Sequence, residues 1–67
     1  MVAEYKRIID EEPGNAEAHY SLAYIYEKQG MIDAALSSYE MASFIDPEND
    51  MAKSAVRRLR TKSKQTI

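Results

Sequence analysis

The sequence contains no cysteine, which removes disulfide staples and thiolate metal sites together. Its two glycines, Gly14 and Gly30, are isolated turn formers, so there is no glycine-rich loop to cradle a phosphate. The one histidine, His19, has no second histidine or cysteine at metal-ligand spacing and falls at a packing position of a helical stretch. Ser21, Ser37, Ser38, Ser43 and Ser54 lie on helical stretches outside any Gly-x-Ser-x-Gly setting. The acidic stretch Asp46-Pro47-Glu48-Asn49-Asp50 carries a proline and no central glycine, which does not fit a calcium loop. No apolar run approaches the roughly 18 residues of a membrane span, and the N-terminus lacks a basic-then-apolar signal pattern. No catalytic residue, metal ligand or cofactor site is expected, and the expected setting is the cytoplasm.

Acidic residues are also missing from one whole end of the chain. All eleven lie between Glu4 and Asp50, whereas Lys53, Arg57, Arg58, Arg60, Lys62 and Lys64 supply six of the nine basic residues. The first fifty residues hold three positive and eleven negative charges, net -8, and the remainder carries +6, summing to the overall -2. Cations near a helix C-terminus complement its macrodipole, which explains part of this polarity. A second reading is that one end of the molecule attracts the opposite end of a neighbour. A chain of 67 residues is one small domain with a marginal core, stabilised by tight helix packing or by oligomerisation.

What is present is a period. Tyr5 and Tyr39, Pro13 and Pro47, Asn15 and Asn49, and Ala18 and Ala52 are each 34 residues apart. The same offset pairs Val2 with Leu36, Ile8 with Ala42, Leu22 with Val56 and Ile25 with Leu59. Met1, Val2, Tyr5, Ile8 and Ile9 recur at helical spacing, and Pro13-Gly14 stops that first helix. Asn15 is placed to cap a second helix, about Ala16 to Gln29, whose apolar stripe is Ala18, Leu22, Ile25 and Tyr26. Gly30 ends it, the short connection makes the next helix antiparallel, and Asp33 is the expected N-cap of a third helix over residues 34–45. That helix packs through Ala35, Leu36, Tyr39, Ala42 and Ile45. Asn49 or Asp50 then caps a last helix bearing Ala52, Ala55, Val56 and Leu59 on one face.

Within the central repeat, His19-x-x-Leu22-Ala23-x-x-Tyr26, followed by Ala35-x-x-x-Tyr39, Ala42 and Pro47, resembles the tetratricopeptide repeat. His19 departs from the large aromatic usual at its position. The resemblance implies an all-α fold: antiparallel helical hairpins stacked as a short right-handed solenoid of about four helices. It divides one domain, residues 1–61, into the second helix of a partial repeat (1–15), a full repeat (16–49) and a C-terminal capping helix (50–61). Residues 62–67 are read as a flexible basic tail. Lys53 and Arg60 stand where His19 and Tyr26 stand in the full repeat, which gives the last helix a soluble outer face.

Function, by the same resemblance, is protein or peptide binding through a groove. The expected groove residues are Glu17, Tyr20, Ser21, Tyr24 and Glu27, with Met51, Ser54 and Arg58 from the last helix. The family's carboxylate clamp needs basic residues, and its positions here are Tyr20, Ser21, Tyr24, Met51 and Ala55, so that mode is disfavoured. The apolar face of the first helix lacks the half repeat that would pack on it. An excised piece of a longer array, a homo-oligomer or helix exchange, and tolerance by a small domain all account for that face. Met1, Tyr5, Ile8, Met41 and Phe44 are the self-association candidates. The alternative function is nucleic-acid or anionic-surface binding through Lys53 to Lys64, a segment without an aromatic residue to stack on a base.

Overall fold

The computed structural model describes residues 2–63 as four helices: α1 (Val2–Glu11), α2 (Ala16–Lys28), α3 (Ile32–Ile45) and α4 (Asp50–Ser63). No strand occurs among the described residues. The helix α4 continues past the expected end at residue 61, so Lys62 and Ser63 are helical; Met1 and residues 64–67 lie outside the described residues. The helices pack in chain order, α1 on α2, α2 most closely on α3, and α3 on α4. The result is a slab of 38 × 26 × 13 Å, thin enough that every helix also faces solvent. This is the all-α stack of antiparallel hairpins that the repeat implies.

The 34-residue period is visible in the turns. Asn15 N–H donates to the Glu12 carbonyl and Asn49 N–H to the Asp46 carbonyl, both at 3.0 Å, closing two matching proline-containing turns. Asn15 Oδ1 then accepts from Ala18 N–H at 3.0 Å, and Asn49 Oδ1 from Ala52 N–H at 3.1 Å. Each bond satisfies an N–H that the first turn of a helix leaves without a partner. Of the two candidate caps for α4, the structure selects Asn49; Asp50 is already inside the first turn.

The α2–α3 connection is different and overturns the expectation that Asp33 caps α3. Gly30 adopts φ +80°, Gly30 N–H bonds the Glu27 carbonyl at 3.0 Å, and Met31 N–H bonds the Tyr26 carbonyl at 2.9 Å. This pair of reversed bonds is a Schellman motif, and it leaves Met31 itself at the N-cap position of α3, with no side-chain capping bond. Asp33 falls in the first turn instead, where its charge favours the positive end of the helix.

The two glycines therefore differ. Gly14 has no positive φ, a Cβ built on it meets nothing within 4 Å, and its repeat equivalent is Glu48. Gly14→Ala should stabilise the fold by about 0.4–1 kcal/mol, by restricting the unfolded chain. Gly30→Ala should destabilise it by roughly 1–2 kcal/mol, because a Cβ is disfavoured in the left-handed region. Urea midpoints of the two variants should move in opposite directions.

The buried core is made of Ala18, Leu22 and Ala23 from α2, Ala35, Tyr39 and Ala42 from α3, and Ala52, Ala55, Val56 and Leu59 from α4. The six alanines let the helix backbones approach, and Tyr39 and Leu59 are the largest fully buried side chains. No residue of α1 is buried, and Val2, Tyr5, Ile8 and Ile9 are only half covered. Ile25, expected beside Leu22 in the apolar stripe, is likewise half-buried, whereas its repeat equivalent Leu59 is fully enclosed. The reason is that α1, with no buried residue of its own, covers α2 less completely than α3 covers α4.

Candidate functional site

Glu17, Tyr20, Ser21, Tyr24 and Glu27 recur at three- and four-residue intervals, which places them along one face of α2. Their counterparts 34 residues on, Met51, Ser54, Ala55 and Arg58, occupy the equivalent face of α4. Two clefts of about 300 Å³ each lie between these faces. One is lined by Tyr20, Asp50, Met51, Ser54, Ala55 and Arg58, and the other by Ala16, Glu17, Tyr20, Asp46, Asn49 and Met51. A third cleft, of about 430 Å³, opens between α1 and α2 and is lined by Tyr5, Tyr20, Ser21, Tyr24 and Ile25. Tyr20 walls all three, so the clefts adjoin at this residue and together make a candidate groove across α1, α2 and α4. Seven of the eight expected groove residues line it.

The eighth, Glu27, supports the groove from one end. The Tyr39 hydroxyl donates to Glu27 Oε1 at 2.9 Å, and Arg58 grips the same carboxylate through both guanidinium nitrogens, Nη1 on Oε2 and Nη2 on Oε1. Glu27 thus joins α2 to α3 and α4 at once. The Tyr39 ring meets Tyr20 edge-on, with centroids 5.3 Å apart and planes at 69°, so the residue shared by the three clefts rests on the largest core side chain. Arg58 lines the groove, but its charge already faces a carboxylate.

The same contacts shift the acid–base behaviour. Arg58 holds the Glu27 carboxyl below the usual range, and the Tyr39 hydrogen bond adds to this while burial opposes both. The Tyr39 phenol is pushed well up, first by burial and then by the adjacent Glu27. A carboxyl whose folded value is depressed contributes stability above its ordinary range and loses that contribution as pH falls through the lowered value. Because Arg58 is 54% exposed, the contribution is about 1 kcal/mol or less. Glu27→Gln should be less stable than the parent at pH 7, and the gap should close on acidification; urea midpoints measured from pH 7 to 3 check this.

Two apolar surfaces remain open in the groove. Tyr24 is 50% exposed, with Lys28 Nζ 5.2 Å from its ring centroid, and Met51 is 67% exposed. Two of the described self-association candidates line different clefts. Tyr5 lies in the groove with Tyr20 and Tyr24; Met41 lines a separate cleft with Lys6, Ile9, Asp10, His19, Leu22, Ser37 and Ser38. Phe44, 83% exposed, lines neither, Ile8 is half-buried on α1, and Met1 lies outside the described residues. His19 Nε2 is 3.1 Å from the Pro13 carbonyl and donates to it, pegging α2 to the turn before it. Of the expected outer-face cations, Lys53 is exposed, while Arg60 reaches sideways to Glu40 of α3 at 3.1 Å.

Beyond the eight expected residues, Tyr5, Ala16, Ile25, Asp46, Asn49, Asp50 and Ala55 also line the three clefts. Ala55 was expected only as a clamp position, and the 34-residue offset maps it onto Ser21. Asp46 and Asp50 belong to a turn and a first helical position, and only the placement of α4 beside α2 brings them to the clefts. Among the described residues no group of three or more His, Cys, Asp or Glu side chains is arranged to hold a metal ion. No described helix is long and apolar enough to cross a membrane. A family model described as "Tetratricopeptide repeat" matches residues 2–59. Comparison with curated proteins finds no match.

Proposed function

The chain belongs to the tetratricopeptide repeat family, and from that premise we propose that it acts as a non-enzymatic interaction module whose groove across α1, α2 and α4 receives a peptide or protein partner. The observation that carries this reading is Tyr20. It is shared by the three clefts and meets the buried Tyr39 edge-on, and the exposed Tyr24 and Met51 line clefts with it. Amphipathic aromatic side chains offer contact area at low entropic cost, which suits recognition. The groove is short, so affinities in the micromolar range or weaker are expected.

Peptides selected from a random library against the protein provide the test. Tyr24→Ala and Met51→Ala should each weaken the selected peptides by about tenfold, as loss of an interface anchor does. Phe44→Ala, outside the groove, should leave them unchanged. The opposite ranking would place binding elsewhere and remove this reading.

Self-association belongs to the same proposal, because Tyr5 offers half-covered apolar surface within the groove. A mass by light scattering that rises with concentration, and falls in Tyr5→Glu, would support it; a constant monomer mass would remove it. A second reading rests on α4, where Lys53, Arg57 and Lys62 are exposed and form no ion pair among the described residues. Phosphate contacts through these cations would weaken steeply with salt. Absence of a nucleic-acid gel shift at low salt would eliminate it.

A further inference from the structure

The clefts between α2 and α4 carry carboxylates that form no ion pair among the described residues. Arg58 is the one cation lining the two clefts between α2 and α4 among the described residues, and it is engaged by Glu27. Glu17, Asp46 and Asp50 line the same clefts, are exposed, and form no ion pair among the described residues. Glu17 and Asp50 also complement the positive ends of α2 and α4, but Asp46 sits at the C-cap of α3, where the macrodipole disfavours a negative charge. Met51 lines both clefts, an apolar side chain 67% exposed where its repeat equivalent, Glu17, is charged. The clefts therefore combine an apolar seat with a rim of open negative charge.

We propose that the groove takes a peptide segment in which an apolar side chain adjoins a lysine or arginine: the apolar group seats on Met51 and Tyr20, and the cation faces Glu17, Asp46 and Asp50. This rests on the groove being the binding surface, and it deepens that reading by stating the partner's chemistry. A carboxylate-bearing segment is rejected on two counts. The guanidinium it would use is already paired, and the remaining charges repel it.

The test uses three ten-residue peptides that share the same leucines and carry two lysines, two glutamines or two glutamates. Each is titrated into the whole protein while the Met51 methyl and the Tyr24 ring are followed by NMR. The lysine peptide should bind tightest and perturb both probes. Its affinity should fall roughly three- to tenfold in the doubly substituted Glu17→Gln, Asp50→Asn protein, and also on raising the salt, since the contacts are exposed ion pairs. Both substitutions are at exposed positions, and unchanged circular dichroism would show that the fold is retained. Asp46→Asn, at the C-cap of α3, provides a separate variant that leaves the N-terminal charges of α2 and α4 in place and should weaken the lysine peptide alone. If the glutamine or glutamate peptide perturbs Met51 and Tyr24 at equal or higher affinity, the charge rule is overturned while the groove stands. If no peptide perturbs these residues, or the lysine peptide binds away from them, both the inference and the groove reading fall.

Discussion

Tyr39→Ala should lower the unfolding free energy by about 3–5 kcal/mol, the range for removing a large buried aromatic ring. The ring is 1% exposed at the centre of the core cluster, packed with Ala23, Ala35, Val56 and Leu59. It carries Tyr20 on its edge and sends its hydroxyl to Glu27. Domains have on the order of 0.05–0.15 kcal/mol of stability per residue, so a loss of this size leaves a chain this short largely unfolded at physiological temperature. Tyr39→Phe separates the ring from the hydroxyl. It keeps the volume, removes one hydrogen bond to a partly exposed carboxylate, and should be about 1 kcal/mol less stable than the parent. Urea titrations followed by far-ultraviolet circular dichroism should show a shifted midpoint for Tyr39→Phe and little folded baseline for Tyr39→Ala. Equal losses in the two variants would mean that the hydroxyl, not the packed ring, holds the three helices together.

The importance of Tyr39 was legible before any coordinates. It repeats Tyr5 at 34 residues, sits four residues beyond Ala35, and belongs to a run of small and large apolar positions that only a stacked helical hairpin satisfies. Asn15 was legible for a similar reason, since capping is decided within three residues, whereas for α4 the sequence left Asn49 and Asp50 open and the structure selects Asn49. The groove residues proposed on α2 came from the resemblance to the repeat family; helical spacing adds that Glu17, Tyr20 and Tyr24 share one face of the helix.

What was not legible depends on how helices meet. Glu27 and Arg58 are 31 residues apart and were read as two contacts for a partner; their pairing appears only when α4 lies beside α2. Asp33 was the obvious capping residue by type, but Gly30 turns the chain so tightly that Met31 reaches the cap position first. Tyr5 and Met41 looked alike as exposed apolar residues, and packing sent them to different clefts. Local chemistry fixed the four helices and the Asn15 cap, whereas the start of α3, the end of α4 and the partners across helices did not follow from it.

That register also decides where damage spreads, and Leu59→Ala tests it. Leu59 is fully buried on α4, and its truncation should remove about 2–5 kcal/mol. In a linear stack each helix contacts its sequence neighbours, and stability divides into nearest-neighbour terms. The helix α4 is held by its packing on α3, by the Glu27–Arg58 pair and by the exposed Glu40–Arg60 pair, and the last contributes less than about 1 kcal/mol. Losing Leu59 should therefore release α4 before α2 and α3 open. Native-state hydrogen exchange should find the α4 amides exchanging faster by about 30-fold or more, a factor of ten for each 1.4 kcal/mol, with a smaller change in α2. Because Met51, Ser54 and Arg58 reach the groove only while α4 is docked, peptide affinity should fall in step with that opening, although none of them is altered. Uniform loss of protection through all four helices would show instead that the domain opens as one unit, and that the groove and the core stand or fall together.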